Sequence, residues 1–181
     1  LFLFVFLSIA SISSLLFATG CATDGLAKEK EYLLDGANIS FTLSNIWEEE
    51  FNTTHDLSLT KLDSNLQFSV YKKTEINMTA EELLNKMIKA ELVDSDSKSL
   101  IKKYNVNKTR NRIIYSKLYS ATKDNVEQQY LFSVIDFDGS DTLVFAVYKA
   151  RGSYMTYGID DIQRLLIKME WNGPKTELAY N

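Results

Sequence analysis

The chain has 181 residues and a formal net charge of −4, with one histidine, one cysteine and one proline. One His and one Cys exclude a His/Cys zinc or iron–sulfur centre within the chain, and one Cys excludes an internal disulfide framework. A mild acidic balance is not that of a general nucleic-acid binder, so no nucleic-acid partner is expected.

Residues 1–20 (LFLFVFLSIASISSLLFATG) carry no charge, and fourteen of them are apolar. The stretch thins into Ser and Ala and ends in small residues before Cys21, as a secretory signal does. No initiator Met or basic stretch precedes it, so the natural chain is expected to begin upstream of Leu1. The ending Ala18-Thr19-Gly20-Cys21 resembles the lipobox of bacterial lipoproteins. That resemblance implies attachment of a diacylglyceryl group to the Cys21 thiol, cleavage before Cys21, usually N-acylation, with palmitate-type chains, and a place on the extracytoplasmic face of the cell membrane. Two or three acyl chains anchor stably where one is marginal. Residues 22–37 read as a tether, residues 38–173 as one domain and residues 174–181 as a frayed tail.

Within the domain, Ile39, Phe41 and Leu43 alternate with polar residues and predict a strand. Trp47 and the acidic run Glu48-Glu49-Glu50 follow. Residues 55–62 and 66–72 alternate around Leu57, Leu59, Leu66, Phe68 and Val70, and read as a hairpin turning at Ser64-Asn65. The period changes at Thr79. Thr79-Ala80-Glu81-Glu82 is a capping box, and Leu83, Leu84, Met87, Ile88 and Leu92 then hold one helical face. A further helical turn is expected over Ser97–Tyr104. Residues 112–120, 127–137 and 142–149 read as strands, the last two flanking an Asp138-Gly139-Ser140-Asp141 turn. Both are apolar on both faces at their centres, as strands covered on each side are. Gly152 and Gly158 read as a break. Ile159, Ile162, Leu165, Leu166 and Met169 predict a C-terminal helix, which Gly173-Pro174 stops.

The expected fold class is therefore α+β, with one antiparallel sheet of about six strands packed by two or three helices. The order resembles the PsbP-like superfamily: a strand Phe41-Thr42-Leu43 followed by Trp47, a mid-domain helix opening at Thr79–Glu82, and long final strands with one closing helix over residues 127–171. The resemblance implies an α/β/α arrangement and an adaptor or binding module. It implies no catalytic set.

The nucleophile elbow, the P-loop and G-x-G-x-x-G are absent from the sequence. No cofactor and no enzymatic activity are expected. His55-Asp56 reads as a strand-face pair. Asp136, Asp138 and Asp141 give a weak calcium candidate, since three carboxylates beside a Gly supply oxygen ligands. The strongest unevenness is charge. From Ser97 to Lys123 there is no acidic residue and eight basic ones, while the rest carries 12 basic and 24 acidic. Lys98, Lys102, Lys103, Lys108, Arg110, Arg112 and Lys117 are thus a candidate face for an acidic protein or an anionic envelope polymer. Trp47, Tyr148, Tyr154 and Tyr157 are candidate pocket aromatics. Three functions stay open: a lipid-anchored binding module, a lipid-anchored hydrolase or ligand binder with a site assembled only in the fold, and an envelope protein docking on anionic surfaces.

Overall fold

Period-two alternation governs most of the chain, and the strands it builds pair into two antiparallel sheets. The computed structural model describes residues 28–51 and 54–173. In chain order the elements are β1 (Glu29–Leu34), a 3-10 turn (Asp35–Ala37), β2 (Ile39–Ser44), β3 (Glu48–Glu49), β4 (Leu57–Lys61), β5 (Ser64–Lys72), α1 (Lys73–Ile76), α2 (Ala80–Glu91), β6 (Ser97–Lys103), β7 (Asn107–Lys108), β8 (Arg112–Lys123), β9 (Val126–Phe137), β10 (Thr142–Ala150), α3 (Gly152–Lys168) and β11 (Glu170–Trp171). The large sheet has eight strands in the order β3-β4-β5-β10-β9-β8-β6, with β7 also on β8, and β1-β2-β11 form a three-stranded sheet.

The two apolar strands β9 and β10 lie at the centre, covered on both sides. On β10, Phe145 and Val147 face one core, while Val144, Ala146 and Tyr148 face the other. The first core is closed by α2, whose Leu83, Leu84, Ile88 and Leu92 pack on Phe132, Val134 and Phe145. The second is closed by α3 together with the small sheet. Met155, Ile162, Leu165 and Leu166 of the helix, and Tyr32, Leu34, Ile39 and Phe41 of the small sheet, join Leu66, Phe68 and Val144. The layers are α/β/α, with the small sheet sharing the α3 layer.

Several expectations hold. Thr79 accepts from the Glu82 amide, and Glu82 accepts from the Thr79 amide, so the capping box forms. The Asp138–Asp141 turn joins β9 to β10, with Gly139 at φ +78, a conformation that favours glycine.

Other expectations are corrected. The described residues hold more than six strands, because two-residue strands and the edge strand β6 leave no alternation to read. Ser97–Tyr104 is not a helical turn. Its residues 97–103 are β6, paired to β8 with a register shift between Leu100 and Lys102. Every residue of this edge strand is exposed, so its lysines leave no period of two to read. Residues 29–34, read as tether, form β1, and Tyr32 and Leu34 are buried. The charged run Glu29-Lys30-Glu31 hid that strand. The first hairpin turns at Leu62-Asp63, with Leu62 in the left-handed region, because Ser64 and Asn65 already pair with Lys61 and Thr60. Gly152 and Gly158 lie within α3 rather than before it. The signal segment, the lipobox with Cys21 and the tail 174–181 lie outside the described residues. Among the described residues, no helix is long and apolar enough to cross a membrane.

Candidate functional site

The α3 layer has two covers, a helix and a small sheet, and a cleft runs along the seam between them. Its volume is about 420 Å³, and it gathers Trp47, Tyr148, Tyr154 and Tyr157, the four aromatics singled out in the sequence. Trp47 enters through a tight turn after β2, where its amide donates to the Ser44 carbonyl at 3.2 Å. The Tyr32 hydroxyl holds the Trp47 carbonyl at 2.9 Å. The indole meets the Tyr148 ring edge-on, with centroids 6.4 Å apart and planes at 67°. Lys61 places its ammonium 5.9 Å from the indole centre.

Trp47 and Tyr148 form a buried floor, while Tyr154 and Tyr157 form an exposed rim. The Tyr148 hydroxyl donates to the Tyr154 carbonyl at 3.1 Å and shares a hydrogen bond with Ser64 Oγ at 3.2 Å. Burial pushes the Tyr148 phenol above its usual range, so it stays a neutral donor at physiological pH. Gly158 sets the depth of the cleft. A Cβ there would lie 2.1 Å from the Tyr148 hydroxyl, so only glycine lets α3 approach this closely. Lys61, Arg164 and Lys168 stand with Glu29 and Asp161 around the opening, and Arg164 Nη2 pairs with Asp161 Oδ1 at 3.1 Å. The cleft offers stacking surfaces, one fixed phenol donor and a rim of both charges, which suits binding through shape and stacking. Gly158, read as a break, is instead a glycine inside an apolar-periodic helix, the sequence signal of a close approach. Lys61, Ser64 and Arg164 carried none.

The candidate basic face is divided. Alternation on β8 sends Lys117 to the α2 side, where its ammonium donates to Asn85 Oδ1 at 2.6 Å. Lys103 reaches Glu81 of α2 at 3.3 Å, and Lys98 donates to the Leu92 carbonyl at 3.3 Å. Lys102 points the other way, 4.5 Å over the Tyr104 ring. Lys108 and Arg110 are exposed near the start of β8. Arg112 is not a surface residue: it is 7% exposed. Its guanidinium donates to the carbonyls of Leu166 and Met169 at the end of α3 and lies 4.9 Å from the Phe137 ring. It satisfies helix-end carbonyls that would otherwise be orphaned, a structural role.

The acidic candidate is corrected as well. Asp136 is held by Lys73 Nζ at 2.8 Å. Among the described residues, no group of three or more His, Cys, Asp or Glu is placed to hold a metal ion. Asp138 lies past the end of β9, beyond buried Phe137, and Asp141 opens the other side of the turn.

One constellation has no sequence spacing to announce it. His55 Nδ1 shares a 2.9 Å hydrogen bond with Ser69 Oγ. Its Nε2 lies 4.0 Å from Glu91 Oε1, and Glu91 Oε2 pairs with Lys149 at 3.2 Å. Ser, His and Glu thus meet, but Ser69 is 7% exposed and buried beside its β5 ladder. The group ties the approach to β4, the end of α2 and β10 together. Burial lowers the His55 pKa, opposed by Glu91.

No protein-family model and no curated protein matches the sequence. Solved structures do match in fold. The solution structure of cyanobacterial PsbP (CyanoP) from Synechocystis sp. PCC 6803 is 14% identical, with a TM-score of 0.63, over 83% of this chain and 96% of that one. The Ran-binding protein Mog1p of Saccharomyces cerevisiae is 10% identical, with a TM-score of 0.56, over 80% and 96%. LpqN of Mycobacterium tuberculosis, described as involved in cell envelope biogenesis, is 8% identical, with a TM-score of 0.54, over 81% and 91%. The chain has an α+β fold similar to that of PsbP and Mog1.

Proposed function

We propose that this chain is a lipid-anchored, extracytoplasmic binding module, not an enzyme, which is held at the membrane through Cys21 and takes its ligand in the aromatic cleft. The observation that carries the reading is the convergence of Trp47, Tyr148, Tyr154 and Tyr157 from separate segments on one seam. Two of them stay exposed at its rim, and exposed aromatics beside a cleft are binding features more than packing ones. Neighbours of the same fold include a protein described as Ran-binding and one described as acting in cell envelope biogenesis, which agrees with a binding role at an envelope. The reading as a hydrolase has less support, because the Ser69 hydroxyl is buried and spent on His55. The reading as an anionic-surface binder has less support too, because the basic residues divide between two faces.

The test is a thermal-shift screen of small aromatic and amphipathic compounds on the full chain in detergent. The reading expects a hit that raises the melting temperature and is lost in Tyr157→Ala. Hits that survive Tyr157→Ala, or chemical turnover of a hit, overturn it. The anchor is tested separately: Cys21→Ser should leave the membrane fraction, and unchanged fractionation contradicts lipidation.

A further inference from the structure

The two ends of the large sheet carry opposite charge. At one end lies β6, all seven of whose residues are exposed, with no strand beyond it among the described residues. Leu100, Ile101 and Val106 stand 50%, 49% and 48% exposed along this edge. An open edge with apolar side chains is a template for another strand. Lys98, Lys102 and Lys103 line β6, and Lys108 follows on β7, which continues the same edge of β8. Lysines on an edge discourage indiscriminate strand pairing, and a strand that brings carboxylates is the one whose charge complements them.

The opposite end of the same sheet brings carboxylates. There β3 is Glu48-Glu49, with Glu50 next. Ile46 and Phe51 bracket the three acids and are 47% and 77% exposed. One edge therefore reads basic, apolar, basic, and the other reads apolar, acidic, apolar. We propose that a second copy of this chain docks edge to edge on the large sheet, laying its acidic segment from Ile46 to Phe51 along the basic strand β6.

The contact joins unlike surfaces, so a docked pair keeps one acidic and one basic edge free, and the association propagates head to tail. Because β3 is two residues long, the contact draws on charge and on the apolar pairs as much as on ladder hydrogen bonds. The contact has to exchange existing partners. Lys103–Glu81 has side chains 60% and 48% exposed and Lys30–Glu49 48% and 32%, and surface pairs of this kind are weak. Lys98 keeps its bond to the Leu92 carbonyl.

The test is oxidative cross-linking of the full chain in intact cells, with the parent, whose one cysteine is Cys21, as background. A chain carrying both Glu48→Cys and Lys102→Cys should give a ladder of dimer, trimer and longer species. Either substitution alone should give no dimer, and the two single variants, differently tagged and co-expressed, should give a dimer and nothing longer. Adding Lys103→Glu to the double variant should lower the ladder about tenfold, as like charges meet. Adding Glu49→Lys as well should restore it. A double variant without a ladder overturns the proposal, as does a dimer from Lys102→Cys alone, which would mean two β6 edges back to back. Cross-links only to other proteins overturn it in favour of a foreign acidic strand. A ladder indifferent to Lys103→Glu also overturns it.

Discussion

The two faces of the large sheet are covered in different ways. On one face α2 lies on β8 to β10, with Ile76 of the short α1 packed beside it, and a polar group of His55, Ser69, Glu91 and Lys149 closes its margin. On the other face α3 shares the cover with a three-stranded sheet. On the α3 face the helix and the small sheet leave a seam between them. Clefts open where packing elements meet, and the aromatic one opens there.

The comparison breaks first if the two cores respond alike. Phe68 is fully buried under the small sheet, with its ring 5.0 Å from Phe41. Phe132 is equally buried under α2, between Tyr130 at 5.7 Å and Phe145 at 6.2 Å. Each Phe→Ala change should cost about 3–5 kcal/mol in denaturant unfolding. Hydrogen exchange should separate them. Phe68→Ala should loosen the small sheet ahead of α2, and Phe132→Ala should do the reverse. Equal loosening of both layers would mean that the faces act as one unit.

Gly158→Ala comes next. The added methyl meets the Tyr148 hydroxyl, and overpacking of this kind costs about 1–3 kcal/mol. The change should also shift the near-ultraviolet signal of Trp47, which packs on Tyr148, and weaken any ligand of the cleft. A neutral Gly158→Ala would show that α3 can move off the sheet freely. Thr79→Ala on the opposite face removes a side-chain acceptor at an exposed helix start and should cost about 1 kcal/mol. Its effect should be confined to α2 in hydrogen exchange and should leave the cleft untouched.

These differences bear on what was legible in the sequence. The capping box at Thr79 and the double-sided strands β9 and β10 were readable, because each rests on residues adjacent in the chain. The four aromatics were readable as candidates, although their convergence was not, since β10, α3 and the turn at Trp47 meet only through sheet topology. β1 and β6 were misread for one physical reason. An edge or accessory strand buries little, so its charges mask the period of two. Arg112 was read as surface because arginine usually is, yet alternation on β8 turns it inward to the end of α3. The His55 group was invisible, because its members come from a loop, two strands and a helix.

That group gives the smallest effect, and its sign follows from burial. His55 faces Ser69 on β5, Glu91 at the end of α2 and Lys149 on β10, with Asp56 beside it. Desolvation holds its pKa below the ordinary 6.5, Lys149 adds to the lowering, and Glu91 and Asp56 oppose it. The unfolded chain therefore takes up the proton first as pH falls. The stability that His55 contributes is complete above its unfolded pKa and is lost as pH falls toward the folded value. Carboxylates elsewhere also titrate in acid, so the measurement is a difference. Urea midpoints of the parent and of His55→Gln are compared between about pH 8 and about pH 5, where histidine is the side chain that ordinarily titrates. The parent should lose more stability than the variant over that range. Parallel curves would show that His55 takes up its proton equally in the folded and the unfolded chain.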